Sequence, residues 1–144
     1  MKENLLVSSC LLGNNTKYNG KNNYMPKIEE IKEKYNIIVI CPEVMGGLST
    51  PRNPSEILGD KVISNVGADV TLEFNRGAGI AYELALKHNV KKALLKNGSP
   101  SCGKDKIYDG TFTGTKINGS GITVRLLEKL DIEIFSEDEI DKLL

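Results

Sequence analysis

The strongest constraint on the fold is a series of short apolar runs that alternate with helical patterns. The clearest run is residues 37–40, Ile-Ile-Val-Ile, which presents no polar side chain to solvent. Continuous apolar strands are typical of parallel sheets that are covered on both faces. Strand patterns also occur at residues 4–8, 91–96 and 132–135. These segments predict a sheet that lies between two outer layers.

Helical patterns separate the strands. Pro26 occupies a favourable first-turn position before three apolar residues at helical spacing, which are Ile28, Ile31 and Tyr35. The strongest helix is predicted over residues 72–88, and its apolar face consists of Phe74, Ala78, Ala81, Tyr82 and Ala85. Near the end of the chain the helical signals are Ile122, Leu126 and Leu130, followed by the capping box of Ser136 and Glu139.

This alternation of strands and helices predicts an α/β fold, Rossmann-like and three-layered, with a mainly parallel sheet. We expect a single domain spanning residues 1–144. Residues 43–60 read as a long irregular loop, and such a loop in a compact domain is usually functional. Residues 61–64 predict a short strand or an edge hairpin, and residues 99–121 a loop that continues as a polar, glycine-rich stretch.

Charge and hydropathy argue against several classes of protein. Lysine plus arginine and aspartate plus glutamate number 19 each, which gives no electrostatic reason to expect nucleic acid or an anionic membrane as partner. No apolar run approaches the ~20 residues of a membrane span. The segment ending at Cys10 resembles a lipoprotein cleavage box, but signal peptides run to about 15–30 residues and only nine residues precede this cysteine. We therefore expect a cytoplasmic protein.

The three cysteines, Cys10, Cys41 and Cys102, each follow the carboxyl end of a predicted strand. Those ends lie along one edge of an open parallel sheet, where ligands bind. An odd number of cysteines without a signal peptide is unlike a disulfide framework. Buried structural thiols would explain any one of them but not their shared position. We expect the three thiols to converge on one metal site.

Three thiolates suit a centre that keeps one coordination position open. A structural zinc site takes four ligands, and soft thiolates favour either zinc or an iron–sulfur cluster. A 4Fe–4S cluster takes one cysteine per iron, so three cysteines leave one iron exposed as a Lewis acid. The residues alone leave both metals open. Glu43, two residues after Cys41, is a candidate acid or base, with a solvated loop carboxylate as the alternative.

Four motifs carry a resemblance to a known family. They are V-S-S-C-L-L-G at residues 7–13, C-P-E-V-M-G-G-L-S-T-P-R at 41–52, S-P-S-C-G at 99–103 and I-Y-D-G-T-F-T-G at 107–114. Together they resemble the bacterial family catalogued as domain of unknown function 523, whose characterised member is a thiouracil desulfidase. The resemblance implies a 4Fe–4S cluster held by Cys10, Cys41 and Cys102, and catalytic roles for Glu43 and Ser101.

The activity that the resemblance implies is desulfuration of a small thiolated pyrimidine, such as 2-thiouracil, to the oxo form with release of sulfide. In our hypothesis the open iron binds the substrate sulfur, Glu43 activates water as general base and Ser101 assists proton transfer. Arg52, in the long loop, is a candidate contact for an anionic group or a pyrimidine carbonyl, with a surface cation as the alternative. Tyr108 and Asp109 are candidates to line the pocket. The alternatives are a zinc- or thiol-dependent enzyme and a sulfur or metal carrier, each using the same cysteines.

Overall fold

The computed structural model describes residues 2–144 of the chain. Its regular elements are, in chain order, the strand β1 (Glu3–Ser8), a 3₁₀ helix (Ser9–Leu12), α1 (Ile28–Lys34), β2 (Tyr35–Ile40), α2 (Pro42–Met45), β3 (Ser55–Leu58), β4 (Lys61–Ser64), α3 (Thr71–Lys87), β5 (Lys92–Leu95), β6 (Lys106–Tyr108), β7 (Lys116–Asn118), α4 (Ile122–Leu127), a 3₁₀ turn (Glu128–Leu130), β8 (Glu133–Ser136) and a terminal 3₁₀ helix (Glu137–Leu143).

Four of the strands form a parallel sheet in the order β2-β1-β5-β8. β1 takes an inner position because Leu5, Leu6 and Val7 are apolar on both faces and fully buried. The chain adds β2 on one side of β1 and later β5 on the other, so the direction of strand addition reverses at β1. Ligands bind outside the carboxyl ends of the strands at such a reversal.

Apolar side chains fill both faces of the sheet. Alternation along β1 directs Leu6 toward the side covered by α3 and α4, and Leu5 and Val7 toward the side covered by α1 and the terminal 3₁₀ helix. The predicted three-layer α/β fold with a mainly parallel sheet is confirmed. Within residues 2–144 no helix combines the length and the apolar character needed to cross a membrane.

Two antiparallel hairpins, β3–β4 and β6–β7, lie outside the main sheet. The β3–β4 hairpin confirms the hairpin alternative at residues 61–64, because these residues form β4 and pair with β3. The expectation of an irregular segment over residues 43–60 is wrong in part, since α2 and β3 fall within it. Both hairpins pack through a small apolar cluster, which consists of Ile57, Val62, Phe74 and Ile107.

Tyr35 lies in β2 and not on the helix that precedes it, so its predicted place on a helix face is wrong. α1 ends at Lys34, and Tyr35 is extended, with φ −119° and ψ 155°. The residue pairs with Glu3 of β1 and its hydroxyl donates to the carbonyl of Leu143 at 2.7 Å. A buried aromatic ring serves either element, and strand pairing decides between them.

Candidate functional site

A pocket of about 540 Å³ opens at the carboxyl ends of the parallel strands. Residues that follow β1, β2 and β5 form one side of it, and the segments 52–56 and 108–116 contribute to the other walls. Cys10, Cys41 and Cys102 all line this pocket. The structure thus brings together three thiols that are far apart in sequence.

Each cysteine is held at the pocket by a different local structure. Cys10 lies in the 3₁₀ helix after β1, where Asn23 Nδ2 donates to its sulfur at 3.3 Å. Cys41 immediately follows β2, and its thiol lies 3.8 Å from the carbonyl oxygen of Thr16. Cys102 lies in the turn after β5 and is buried. No disulfide joins the three, which are free thiols.

The surroundings of the thiols disfavour their use as isolated nucleophiles. Burial raises the pKa of Cys10 and raises the pKa of Cys102 to about 12. Thiols of this kind stay protonated, whereas a bound metal deprotonates the thiols that coordinate it. Cys10 and Cys102 are therefore better suited to binding a metal than to acting as isolated nucleophiles.

The beginning of α4 fixes the turn that carries Cys102. Three backbone N–H groups there donate to carbonyls of the turn at 2.7 to 3.0 Å, in the pairs Gly121 to Gly103, Ile122 to Pro100 and Thr123 to Ser101. A Cβ atom at Gly121 would lie 2.3 Å from the carbonyl oxygen of Ser101, so this approach requires glycine.

Glu43 lies in α2, and both of its carboxylate oxygens have partners. Arg52 Nε donates to Oε1 at 3.1 Å, and Ser99 Oγ donates to Oε2 at 3.4 Å. The side chains of Glu43 and Arg52 are only 17% and 7% exposed. Nη1 of Arg52 donates to the carbonyl of Ser49 and the hydroxyl of Thr50, and Nη2 donates one N–H to the carbonyl of Thr16. Glu43 is therefore held in one orientation at the pocket and is not a solvated loop carboxylate.

Ser99 is the candidate functional residue that the sequence did not single out. Its Oγ accepts the backbone N–H groups of Ser101 and Cys102, both at 3.0 Å, so its own proton is available to Glu43. Ser101 lies elsewhere: it is 1% exposed, pairs with Thr123 Oγ1 at 2.8 Å and does not line the pocket. A serine hydroxyl that accepts the backbone N–H two residues later forms a recurrent type of turn, and this pattern could have identified Ser99.

The three predicted substrate contacts occupy different positions. Tyr108 lines the pocket, and so does Arg52, although four of the five N–H groups of Arg52 are already bonded to protein oxygens. Asp109 does not line the pocket. It accepts the N–H and the hydroxyl of Thr111 at 3.0 and 2.6 Å, and these bonds lower the pKa of Asp109. Asp109 thus shapes residues 109–115, which we call the flap.

One wall of the pocket contains a polar atom that lacks a protein partner. Thr16 Oγ1 is sealed from solvent and makes no hydrogen bond within residues 2–144, while the carbonyl of Thr16 lies against Cys41. A buried hydroxyl without a partner is costly unless another group occupies the space beside it. Because that hydroxyl is closed to solvent, it is also closed to the open pocket, so the fit to an iron–sulfur cluster rests on the three thiols.

A single metal ion and an iron–sulfur cluster place different demands on the spacing of their protein ligands. Within residues 2–144 no three His, Cys, Asp or Glu side chains meet closely enough to hold a single metal ion. A cluster distributes its cysteines over different irons, so its ligands need not meet at one point.

Known proteins match the chain over nearly its whole length. The family model described as 2-thiouracil desulfurase matches residues 5–139. An uncharacterized protein of Bacillus subtilis (strain 168), YbbK, is 39% identical over 150 residues, which cover 97% of this chain and 99% of the relative. The solved structure of the 4Fe-4S-dependent thiouracil desulfidase TudS is 43% identical, superposes with a TM-score of 0.93 and covers 99% of this chain and 95% of its own.

Proposed function

The chain belongs to the 2-thiouracil desulfurase family, and on that premise we propose that it removes sulfur from a small thiolated pyrimidine of the 2-thiouracil type. The observation that carries the proposal is the meeting of all three cysteines and Glu43 at one pocket, in a chain that superposes on TudS with a TM-score of 0.93. The overall reaction is a hydrolysis: a C=S group and water give a C=O group and hydrogen sulfide, with no change of oxidation state. We expect this activity in the cytoplasm, where thiols stay reduced.

We propose that Cys10, Cys41 and Cys102 hold a 4Fe–4S cluster in this pocket. Their shared position at the pocket supports the assignment. With one cysteine per iron, the bound cluster supplies one iron that is open to substrate and acts as a Lewis acid toward its sulfur. The protein contributes the enclosure, the orientation of the substrate and the movement of protons.

Glu43 is the residue to which we assign proton transfer. Water that adds to the sulfur-bearing ring carbon must lose a proton, and a carboxylate at the pocket can accept it. Arg52 holds Oε1, so the oxygen available for this proton is Oε2, where the bond from Ser99 is long at 3.4 Å. Arg52 therefore positions Glu43, and its predicted contact with substrate stays a prediction.

Two residues, Ser99 and Ser101, are candidates for the catalytic serine, and mutations can distinguish them. Ser99 donates to Glu43 and lines the pocket, which suits it to share the proton that Glu43 accepts. Ser101 lies 3.9 Å from the sulfur of Cys102 and is bonded to Thr123, which suits it to fix Cys102. A direct role of Ser101 in proton transfer stays a prediction.

The substrate side of the pocket is formed by the flap and the residues around it. We propose that the ring of Tyr108 lies against the pyrimidine, since aromatic faces stack on planar rings. Asp109 contributes indirectly, because its bonds to Thr111 order the flap.

Anaerobic reconstitution with iron and sulfide tests the proposal. We expect a broad brown absorbance, about four irons per chain, and release of more than one equivalent of sulfide from 2-thiouracil. The Cys10→Ser, Cys41→Ser and Cys102→Ser variants should each lose the absorbance. Glu43→Gln should keep the absorbance and lose turnover about 100-fold or more, whereas the exposed control Glu83→Gln should keep both.

Other outcomes would identify the alternatives. Zinc retained through purification, with no cluster absorbance after reconstitution, would make this a zinc enzyme. A single equivalent of sulfide, with no further release, would make it a sulfur carrier. A Glu43→Gln variant with an intact cluster and full turnover would remove Glu43 from the chemistry.

A further inference from the structure

The wall of the pocket that contains residues 52–56 includes a buried carboxylate, that of Glu56, which is separate from the cysteines and from Glu43. Glu56 lies in β3, is 9% exposed and lines the pocket. Alternation along β3 directs Ile57 into the small apolar cluster of the hairpins and Glu56 toward the pocket. A carboxylate in such a place is costly unless its oxygens find partners.

One oxygen of Glu56 fixes the flap. Oε1 accepts the backbone N–H groups of Gly110 and Phe112 at 3.0 and 3.2 Å. Phe112 has a φ of +57°, a left-handed conformation that costs energy for a residue with a side chain and persists only where surrounding bonds enforce it. Gly110 packs so closely on β3 that a Cβ atom would lie 2.9 Å from the carbonyl oxygen of Ile57. The bonds to Oε1 therefore hold a strained wall of the pocket in place.

The other oxygen of Glu56 is left for a ligand. Oε2 makes no hydrogen bond within residues 2–144, where both bonds of this side chain go to Oε1. If Oε2 were sealed from solvent, it would be a buried polar side-chain atom without a partner. In that part of the chain only Thr16 Oγ1 is such an atom, so Oε2 keeps solvent access. The residue that carries Oε2 is one of those that line the pocket.

The chemistry of this oxygen selects the kind of group that it can bind. An ionised carboxylate only accepts hydrogen bonds, so its partner must be a donor. A pyrimidine of the uracil type carries two ring N–H donors, and a charge-assisted bond to one of them is stronger than a neutral bond. We propose that Glu56 binds a ring N–H of the substrate through Oε2 while Oε1 fixes the flap. This assignment of substrate recognition rests on the proposed function.

Glu56→Gln separates the two roles, since the amide oxygen can still accept from Gly110 and Phe112. The amide nitrogen then presents a donor to the pocket in place of an acceptor. The variant should keep its cluster absorbance and melt within a few degrees of the wild type. Glu56→Ala, which loses both oxygens, should instead melt lower and expose the flap to limited proteolysis.

The test is binding of uracil, the unreactive product, to the anaerobic cluster-loaded protein by calorimetry. We expect Glu56→Gln to weaken uracil binding by about 10- to 100-fold, with Glu83→Gln as the matched exposed control. The same titrations with 1-methyluracil and 3-methyluracil, each of which lacks one ring N–H, complete a double-mutant-type cycle between protein and ligand. For one of these two analogues the effect of Glu56→Gln should shrink to less than about threefold, because the N–H that Glu56 accepts is gone.

Equal weakening by Glu56→Gln for all three ligands would overturn the proposal, and so would a wild-type protein that binds none of them. Binding that follows the expected cycle, in a loaded protein that releases no sulfide from any thiolated pyrimidine, would leave the assignment of Glu56 standing and remove the proposed reaction. The two proposals can therefore fail separately.

Discussion

Arg52 and Glu43 form an ion pair that is nearly closed to solvent, with Nε donating to Oε1 across 3.1 Å. A guanidinium suits this place because its planar N–H groups reach several acceptors at once, and two of the others here are the carbonyl of Thr16 and the hydroxyl of Thr50. The pair thus joins the loop before β3 to the segment beside Cys41. Removing one partner would leave a buried charge without compensation.

We expect Arg52→Lys to lower the free energy of unfolding by about 1–3 kcal/mol, because an ammonium keeps the charge but cannot reproduce the fork of N–H groups. The turnover number should fall about tenfold, since Glu43 loses its fixed orientation. Urea unfolding and steady-state kinetics on 2-thiouracil measure the two effects. The control Arg125→Lys, at an exposed position, should change stability by less than about 0.5 kcal/mol. Full turnover in Arg52→Lys would contradict the orienting role.

The serines on either side of Pro100 should respond differently to alanine. Ser99→Ala removes the donor to Glu43, so we expect turnover per iron to fall about 100-fold. Ser101→Ala removes a buried bond to Thr123 and should cost about 1 kcal/mol of stability with turnover per iron within about threefold. Iron content, thermal melting and sulfide release separate these effects. The reverse pattern, an active Ser99→Ala and an inactive Ser101→Ala, would assign proton transfer to Ser101.

Two glycines of α3 provide a matched pair for the contact that positions Cys41. A Cβ atom at Gly77 would lie 1.7 Å from the carbonyl oxygen of Pro42, whereas no atom lies within 4 Å of a Cβ at Gly79. Gly77→Ala should force α2 away from α3, at a cost of about 3 kcal/mol or more, and reduce the iron retained per chain. Gly79→Ala should instead stabilise the helix by about 0.5–1 kcal/mol. Equal melting temperatures for the two variants would show that α2 does not need this close approach.

The features of the fold that could be predicted from sequence are those with a long pattern. The apolar run at residues 37–40 and the 17-residue helix α3 each show a pattern long enough to predict the element. The expected burial of that run on both faces is wrong, since β2 is an edge strand of the sheet and Val39 is 42% exposed. The β6–β7 hairpin has three residues in each strand, which is too short for any period to show. Tyr35 illustrates another limit, because a buried ring fits a helix face or a strand until pairing with Glu3 decides.

The candidate site divides in a similar way. The position of the cysteines after strands was enough to predict their meeting, since parallel strands place their carboxyl ends at one edge. The choice between Ser99 and Ser101 depends on which way a tight turn presents each side chain, and the motif S-P-S-C offers a serine on both sides of the proline. Glu56 depends on the pairing of β3 with β4 and on the flap, and neither is visible in a local pattern.

Glu139, which does not line the pocket, gives the chain a pH-dependent contribution to stability. The predicted capping box is present: Glu139 Oε1 accepts the backbone N–H of Ser136 at 3.1 Å at the start of the terminal 3₁₀ helix. Hydrogen bonds from Lys104 at 2.6 Å and, to a lesser extent, from Lys142 lower the pKa of Glu139 to about 2. Because this pKa lies below the ordinary value near 4.5, folding favours the ionised form.

The sign of the effect follows from that difference. The stabilisation is complete above about pH 5 and is lost as the pH falls through the interval from about 4.5 to about 2, where the folded protein must also take up the proton. Since the carboxylate is partly exposed, we expect about 1–2 kcal/mol and not the full value of the shift. Glu139→Gln isolates the charge, because glutamine still accepts the N–H of Ser136. In urea unfolding of the cluster-free, reduced protein, this variant should be less stable than the wild type at pH 7 and equal to it near pH 2. The exposed control Glu133→Gln should differ little from the wild type at either pH. A difference in the free energy of unfolding between Glu139→Gln and the wild type that stays constant from pH 7 to pH 2 would show that the ionised form is not what stabilises this end of the chain.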